Sequence, residues 1–228
     1  MQAIAWLGGI AFVGSLAYLV YFYAVVLAAP SGDPANAVRH ALINVGLFTA
    51  FALHHSLFAR AGLKQRLVQW LPAVAERTVY VWLASTLLLA VCMLWQPVPG
   101  LVYEATGMMR VALYGVQLVG GVLTLRGAGV IDPLELAGIR QATASRSRDA
   151  LKVEGPFRVI RHPIYLGWIL MVCGAPTMTV NRLLFAVVSS AYLILAIPWE
   201  EKSLVAAHGD QYRAYQRSVR WRVVPGVW

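Results

Sequence analysis

The residues best suited to chemistry lie in two short segments of the chain. Residues 155–165 read Gly-Pro-Phe-Arg-Val-Ile-Arg-His-Pro-Ile-Tyr and bring together an imidazole, two guanidinium groups and a phenol. About forty residues later, two adjacent carboxylates, Glu200 and Glu201, follow directly after an apolar run. Charged groups at the edge of a membrane are costly and persist mainly where they pair or bind something. These segments are therefore the candidate site.

The composition predicts that the elements holding this site are membrane helices. Of the 228 residues, 59% are hydrophobic and only 13% are charged, and the mean hydropathy is +0.64. A soluble domain carries about 25% charged residues. Runs of about the length that crosses the hydrocarbon lie at 3–29, 41–59, 79–96, 109–125, 164–180 and 183–199. We therefore expect an all-α bundle with about five to six transmembrane helices, forming a single membrane domain.

The excess of Lys and Arg is better explained by the orientation of a membrane protein than by a nucleic-acid partner. Sixteen of the 19 Lys and Arg residues fall on one predicted side of the membrane, and the exceptions are Arg39, Arg110 and Arg182. Basic residues concentrate on the cytoplasmic side, so we expect both termini and the candidate site to face the cytoplasm. The net charge of +9 needs no nucleic acid to explain it, and none is expected.

The last two apolar runs are separated only by Asn181-Arg182, which predicts a turn there. The two runs form either two tilted spans or a partly re-entrant pair. In both cases the start of the fifth run and the end of the sixth share one face, so His162 and Tyr165 can meet the two Glu residues. The tail from Glu200 to about Val219 is predicted to be an amphipathic helix that Gly209 interrupts. We divide the domain into an N-terminal part, 1–125, and a C-terminal part, 126–228.

Simpler explanations remain for several of these residues. Arg158 and Arg161 also fit the basic flank of a span, and the two Glu residues also fit an interfacial stop. His54 and His55 are adjacent, so on a helix they point about 100° apart and are poor ligands of one ion. We expect no metal site, although one of this pair could line a pocket. Cys92 and Cys173 lie in apolar runs and are predicted to be packing residues.

The order and spacing of the C-terminal motifs resemble the isoprenylcysteine carboxyl methyltransferase superfamily. The resemblance depends on residues 155–167, on Glu200-Glu201 and on residues 208–215, which read His-Gly-Asp-Gln-Tyr-Arg-Ala-Tyr. Members are integral-membrane methyltransferases that use S-adenosylmethionine, and they include phospholipid methyltransferases. Segments elsewhere in the chain are similar to the branch that holds methanethiol S-methyltransferases and NnrU-like proteins; they lie at 55–60, 76–81, 95–99, 138–141 and 176–180.

The resemblance implies methyl transfer from S-adenosylmethionine to a small or lipophilic acceptor, in a bacterial inner membrane with the site facing the cytoplasm. Methanethiol is the first choice of acceptor, ahead of a lipidated cysteine carboxylate or a phospholipid. The residues implied to bind the cofactor are His162, Pro163, Tyr165, Leu166, Gly167, Glu200 and Glu201. Those implied to favour an anionic nucleophile, as catalytic groups, are Arg158, Arg161, Arg213 and Arg217. An NADPH-dependent membrane reductase and a non-enzymatic, NnrU-like respiratory accessory protein are the alternatives of another class.

Overall fold

The computed structural model describes residues 2–58, 73–131 and 151–228, without the side chains of 57, 58 and 73–77. The motif at 138–141, the basic residues of 60–66 and the side chains of Glu76-Arg77 lie outside the described residues. The predicted all-α class is confirmed, with one minor two-stranded sheet in addition. The seven α-helices of the described residues are α1 (Gln2–Tyr21), α2 (Ala37–Phe58), α3 (Ala73–Leu94), α4 (Gly107–Ile131), α5 (Pro163–Cys173), α6 (Val180–His208) and α7 (Asp210–Ser218).

Four of the helical segments are long and apolar enough to cross a membrane, and these are Gln2–Val26, Pro34–Ser56, Gly107–Ile131 and Val180–His208. The first includes a π-helical turn, Phe22–Val26, after α1. Two shorter apolar helices, Thr78–Leu94 and Pro163–Cys173, add to them. The chain is therefore an integral membrane protein. It divides into two compact units, and the predicted single domain with a boundary at residue 125 stays a prediction.

The first unit comprises the described residues of 2–102 and 179–184, in which α1 and α2 both pack against α3. Two buried asparagines fix the chain after α3. Asn44 exchanges hydrogen bonds with the backbone of Gln96 at 2.7 and 2.8 Å. Asn181 Oδ1 accepts hydrogen bonds from the Trp95 indole at 3.2 Å and from the Val98 amide at 2.9 Å.

The second unit comprises the described residues of 103–131, 151–178 and 185–228. Its central contact is between α4 and α5, where two glycines allow the helix backbones to touch. A Cβ on Gly167 would lie 2.7 Å from the Gly120 carbonyl oxygen, and a Cβ on Gly120 would lie 2.6 Å from that of Gly167. Small residues at such a crossing are a common way to pack membrane helices.

The predicted turn at Asn181-Arg182 is wrong. Helix α5 ends at Cys173, and strand β2 (Thr177–Thr179), which pairs with β1 (Leu101–Glu104), lies before α6. Asn181 and Arg182 are in the first turn of α6, where Arg182 donates to the carbonyls of Tyr23 and Ala24. Polar residues that resembled a turn are thus satisfied by tertiary contacts. The 11 residues of α5 span about 16 Å, well under the ~30 Å hydrocarbon core, which favours the partly re-entrant alternative.

Candidate active site

His162 lies immediately before α5, in the second unit. Pro163 is the first helical residue, a position that suits it because its φ is already helical and no N–H is needed there. The His162 carbonyl accepts hydrogen bonds from the amides of Tyr165 and Leu166, both at 3.2 Å. The start of α5 therefore fixes the backbone of His162. The residue as a whole is only 5% exposed.

The C-terminal segment holds the same residues from the other side. Ile160 forms a parallel bridge with Trp221. The amide of Arg161 donates to the Trp221 carbonyl at 2.9 Å, and that of His162 donates to the Arg222 carbonyl at 2.8 Å. Because this pairing joins residues about sixty positions apart, no local pattern in the sequence indicates it.

Tyr165 and Glu200 contact the buried imidazole of His162. The rings of His162 and Tyr165 are stacked, with centroids 5.2 Å apart. The Tyr165 hydroxyl donates to Glu200 Oε2 at 2.5 Å, and His162 Nδ1 lies 3.7 Å from the same oxygen. The Glu200 side chain is 42% exposed. Its Oε1 has no hydrogen-bond partner among the described residues, so this oxygen can accept a bond from a ligand.

Glu201 is a buried hub of polar contacts, and its residue is only 4% exposed. Its Oε1 lies 2.6 Å from Arg161 Nε and 3.4 Å from His162 Nε2. Its Oε2 accepts from Gln216 Nε2 at 3.2 Å and lies 3.4 Å from Arg222 Nε. A buried carboxylate is tolerated when it is paired and hydrogen-bonded. Glu201 therefore holds the site together and has little capacity left for a ligand.

The two adjacent carboxylates thus differ in surroundings although the sequence treats them alike. Successive residues of an α-helix are rotated by about 100°, so only one of the pair can face inward. Glu201 faces the C-terminal segment, and Glu200 faces the cavity described below. Glu200 is the one suited to bind a ligand directly.

The four predicted catalytic arginines do not form one group. Arg161 is buried, and besides Glu201 it binds the carbonyls of Val219 at 2.7 Å and Arg220 at 3.0 Å through Nη1. Its guanidinium is therefore committed to structure.

The other three arginines are exposed on the surface of the second unit. Arg213 pairs with Asp210 at 2.9 Å. Within the described part of the chain, neither it nor Arg158 or Arg217 lines the cavity. Three of the four arginines implied to favour an anionic nucleophile are therefore not gathered at this cavity.

A cavity of about 180 Å³ lies beside this cluster. One side is polar and presents Arg161, His162, Tyr165 and Glu200, and the remaining walls are apolar or aromatic. The lining residues other than these four are Ile131, Leu151, Phe157, Pro163, Ile164, Leu204, Tyr212 and Tyr215. A cavity with apolar walls and a few convergent polar groups is the usual form of a small-molecule site.

Tyr212 and Tyr215, on α7, form the aromatic wall. Their rings are 5.6 Å apart in an edge-to-face arrangement, and the Tyr215 hydroxyl donates to the Phe157 carbonyl at 2.7 Å. Burial raises the pKa of Tyr215 to about 12, and burial next to the Glu201 charge raises the pKa of Tyr212 further. Both phenols therefore stay neutral at physiological pH, and their electron-rich faces can receive a cation.

Of the remaining predicted cofactor contacts, Pro163 lines the cavity, whereas Leu166 and Gly167 do not among the described residues. The Gly167 backbone is approached closely, as expected, but by helix α4. The small residue is thus explained by helix packing.

Three residues of the site were missed by sequence reasoning. Gln216 and Arg222 bind Glu201, and Trp221 forms the isolated bridge with Ile160. The tail was predicted only as an amphipathic helix. The spacing of Tyr212 and Tyr215, one helical turn apart, was the available signal that one face of this helix covers something.

Among the described residues, no cluster of three or more His, Cys, Asp or Glu side chains could hold a metal ion. The imidazole of His55 is bonded instead to the Tyr80 hydroxyl, at 2.8 Å. It lines a separate cavity in the first unit.

Comparison with known proteins assigns a class to this arrangement. The family model for phospholipid methyltransferases matches residues 134–211. The match includes α5 and α6 with His162, Tyr165 and both carboxylates, and it ends before Gln216 and Arg222. The part of the chain that carries these residues is therefore similar to phospholipid methyltransferases.

Curated relatives narrow this class. The chain is 34% identical over 217 residues to methanethiol S-methyltransferase 2 of Bradyrhizobium diazoefficiens, covering 92% of this chain and 84% of the relative. It is 35% identical to methanethiol S-methyltransferases of Mycobacterium tuberculosis, over 85% of this chain and 79% of the relative, and of Crocosphaera subtropica, over 78% and 72%. No solved structure matches. The chain belongs to the methanethiol S-methyltransferase family, which confirms the resemblance and the predicted methyltransferase activity.

Proposed function

We propose that this enzyme transfers a methyl group from S-adenosylmethionine to a small thiol, with methanethiol as the first choice of acceptor. The acceptor is proposed from the relatives, which are named as methanethiol S-methyltransferases. The donor is proposed from the cavity of the second unit. The observation that carries it is the Glu200 carboxylate, which Tyr165 holds at the polar side of an otherwise apolar and aromatic cavity.

The residues of this cavity fit the chemistry of the donor. S-adenosylmethionine carries a sulfonium, an ammonium and a ribose diol, and each of these is attracted to a carboxylate or an aromatic face. Glu200 Oε1 can accept from the hydroxyls or the ammonium, and the rings of Tyr212, Tyr215 and Phe157 provide flat apolar surface. The volume of about 180 Å³ is below the 300–1,000 Å³ of typical ligand pockets. The described walls therefore enclose part of such a ligand.

When bound, S-adenosylmethionine supplies an electrophilic methyl group on its sulfonium, and the protein supplies alignment and electrostatics. His162, through Nδ1, and Tyr165, through its hydroxyl, orient Glu200. Glu201 fixes the position of His162 by contacting Nε2 of the imidazole. We assign Arg161 as a positioning residue, because its guanidinium is bound by Glu201 and two carbonyls. The exposed Arg158, Arg213 and Arg217 make the surrounding surface positive, which would attract a thiolate.

We further propose that the site faces the cytoplasm of a bacterial inner membrane. The proposal is supported by sixteen of the 19 Lys and Arg residues, which fall on the side of the membrane predicted for the site, and by the bacterial origin of the relatives cited.

The function is tested with full-length protein in lipid nanodiscs and labelled S-adenosylmethionine. A panel of methanethiol, ethanethiol, a farnesylated cysteine and a phosphatidylethanolamine separates the candidate acceptors. We expect labelled thioether from the two thiols and at least tenfold less product from the cysteine and the lipid. Equal or greater labelling of the lipid or the prenylated cysteine would contradict the thiol assignment, and absence of transfer to all four would contradict the function.

A further inference from the structure

The helices of the first unit contain a second cavity, of about 210 Å³. Its walls come from α1, α2 and α3 and are mainly apolar, with side chains such as Phe12, Phe51 and Leu88. Helices α1 and α2 belong to segments long and apolar enough to cross a membrane. Leu16, in the wall, is 40% exposed on the surface of α1. The cavity therefore borders the region that hydrocarbon occupies.

Polar groups interrupt this apolar lining, and one of them has no partner. Ser15 Oγ donates to the Phe12 carbonyl at 2.7 Å, and the Tyr80 hydroxyl is bonded to His55 Nδ1 at 2.8 Å. Ser85 is only 2% exposed, and its Oγ has no hydrogen-bond partner among the described residues. A buried hydroxyl left unsatisfied costs about 1–3 kcal/mol. Such exceptions are rare in native proteins and require an explanation, of which a bound molecule is one.

The charges of the lining restrict what that molecule can be. Among the described residues, no Asp, Glu, Lys or Arg lines the cavity. An ion placed there would lose its hydration without gaining a counter-charge. The volume of about 210 Å³ is below the 300 Å³ or more that drug-sized ligands occupy. The ligand is therefore small, neutral and mainly apolar, with one atom able to hydrogen-bond.

We propose that this cavity binds a short-chain alkyl thiol in its neutral S–H form, with Ser85 Oγ as the hydrogen-bond partner. A thiol combines an apolar body with a weak donor and acceptor, which matches a single hydroxyl in an apolar wall. The requirement for a small, neutral ligand comes from the cavity itself. The choice of a thiol among such ligands rests on the proposed function. Ordered water bound to the polar groups of the wall is the competing occupant.

The experiment measures ethanethiol binding to the full-length protein in nanodiscs, through the rise in melting temperature with ligand concentration. Ser85→Ala removes the unpartnered hydroxyl. We expect a higher melting temperature without ligand and a dissociation constant for ethanethiol raised about 3- to 10-fold, the effect of one hydrogen bond. A merely structural serine would not give this combination of gained stability and lost affinity. Ala84→Leu fills the cavity and should raise the dissociation constant at least tenfold.

The matched control is Thr78→Val, on the same helix. Thr78 is 4% exposed and its Oγ1 is also without a partner, but it does not line the cavity in the described structure. This variant should gain stability and bind ethanethiol as the wild type does. The proposal is overturned if ethanethiol gives no saturable stabilisation of the wild type, as for a cavity holding water only. It is also overturned if Ser85→Ala and Ala84→Leu bind ethanethiol as tightly as Thr78→Val.

Failure of this proposal is distinguishable from failure of the proposed function. Methyl transfer to thiols with a KM that is the same in all three variants would overturn the cavity assignment alone. Saturable binding of ethanethiol that Ala84→Leu abolishes, together with no methyl transfer to any thiol, would overturn the proposed function alone.

Discussion

The two cavities of this protein have similar volumes, about 180 and 210 Å³, and very different walls. The cavity of the second unit lies at the start of α5 and presents two charged side chains, an imidazole and a phenol on one side. The cavity of the first unit lies between helices α1, α2 and α3, and no charged side chain among the described residues lines it. The two cavities therefore differ in the charges of their walls and hardly in their volumes.

This difference teaches what each cavity can bind. A cofactor that carries several charges needs fixed counter-charges, and these are stable near a membrane only when they are themselves paired. The second unit meets this requirement with two layers. Arg161, His162, Tyr165 and Glu200 face the cavity, and the buried Glu201 behind them binds Arg161 and His162. Among its described residues, the cavity of the first unit has no charged side chain in its wall, and it suits a neutral solute. The following variants break one layer at a time.

Loss of the Glu201 charge should have the largest effect. Glu201→Gln leaves Arg161 buried without an opposite charge, which costs about 3–5 kcal/mol for a buried pair. We expect a clear fall in melting temperature and loss of methyl transfer. Glu104→Gln is the matched control, since Glu104 is exposed in the same unit, and it should melt as the wild type does. If Glu201→Gln melted like this control, the supporting layer would not exist.

Tyr165→Phe tests the layer of side chains that faces the cavity. The change removes the hydroxyl that holds Glu200 Oε2 at 2.5 Å. We expect affinity for S-adenosylhomocysteine to fall about 3- to 10-fold, because the carboxylate loses its orientation, while stability changes by less than about 1 kcal/mol. Calorimetric titration measures the affinity. Tyr103→Phe removes a comparable hydroxyl bond, to the Ala175 carbonyl, and should leave the affinity unchanged.

Arg222→Gln probes the C-terminal segment, which the family match does not include. Arg222 Nε is 3.4 Å from Glu201 Oε2, and the Arg222 side chain is 34% exposed. A partly exposed pair of this kind contributes about 1 kcal/mol or less, so we expect a small fall in melting temperature. Arg220→Gln, an exposed neighbour, serves as the comparison. A loss of stability as large as that of Glu201→Gln would mean that Arg222 is the main partner of the hub.

The smallest effect is expected from alkaline titration of the aromatic wall. The pKa of Tyr215 is raised from 10.0 to about 12 by burial, so the folded state favours the neutral phenol. Its contribution to stability is complete below pH 10 and is lost as the pH rises through 12. The melting temperature should be flat from pH 7 to 9 and fall above pH 10, less steeply in Tyr215→Phe. Equal slopes in the two proteins would show that this phenol does not titrate with unfolding.

Much of the fold followed from hydropathy along the chain. The apolar runs at 3–29, 41–59 and 109–125 predicted α1, α2 and α4 with ends that differ by up to eight residues, because the length of a membrane span is set by the bilayer. The end of α5 could not be read in this way. Gly174 and Pro176 were visible, but an apolar sequence continues through β2, whose strand exists only because β1 pairs with it.

The sequence indicated which residues form the candidate site better than it indicated the role of each residue. The motif around His162 and the two carboxylates identified the right helix ends. Which carboxylate faces inward depends on how α6 is rotated against the C-terminal segment, and that contact joins residues distant in sequence. The same reason explains Arg161, which was predicted as a catalytic group and instead binds carbonyl oxygens about sixty residues away.

The central proposal is that Glu200 in the cavity of the second unit binds the methyl donor directly. Its most direct test is the dissociation constant of S-adenosylhomocysteine, measured by calorimetric titration for the wild type and Glu200→Gln. The Glu200 side chain is 42% exposed, so the variant should fold with an unchanged melting temperature. Hydrogen bonds to a charged group are worth about 1.5–3 kcal/mol, so the dissociation constant should rise by about 10- to 150-fold. A folded Glu200→Gln protein that binds S-adenosylhomocysteine as tightly as the wild type would contradict the proposal.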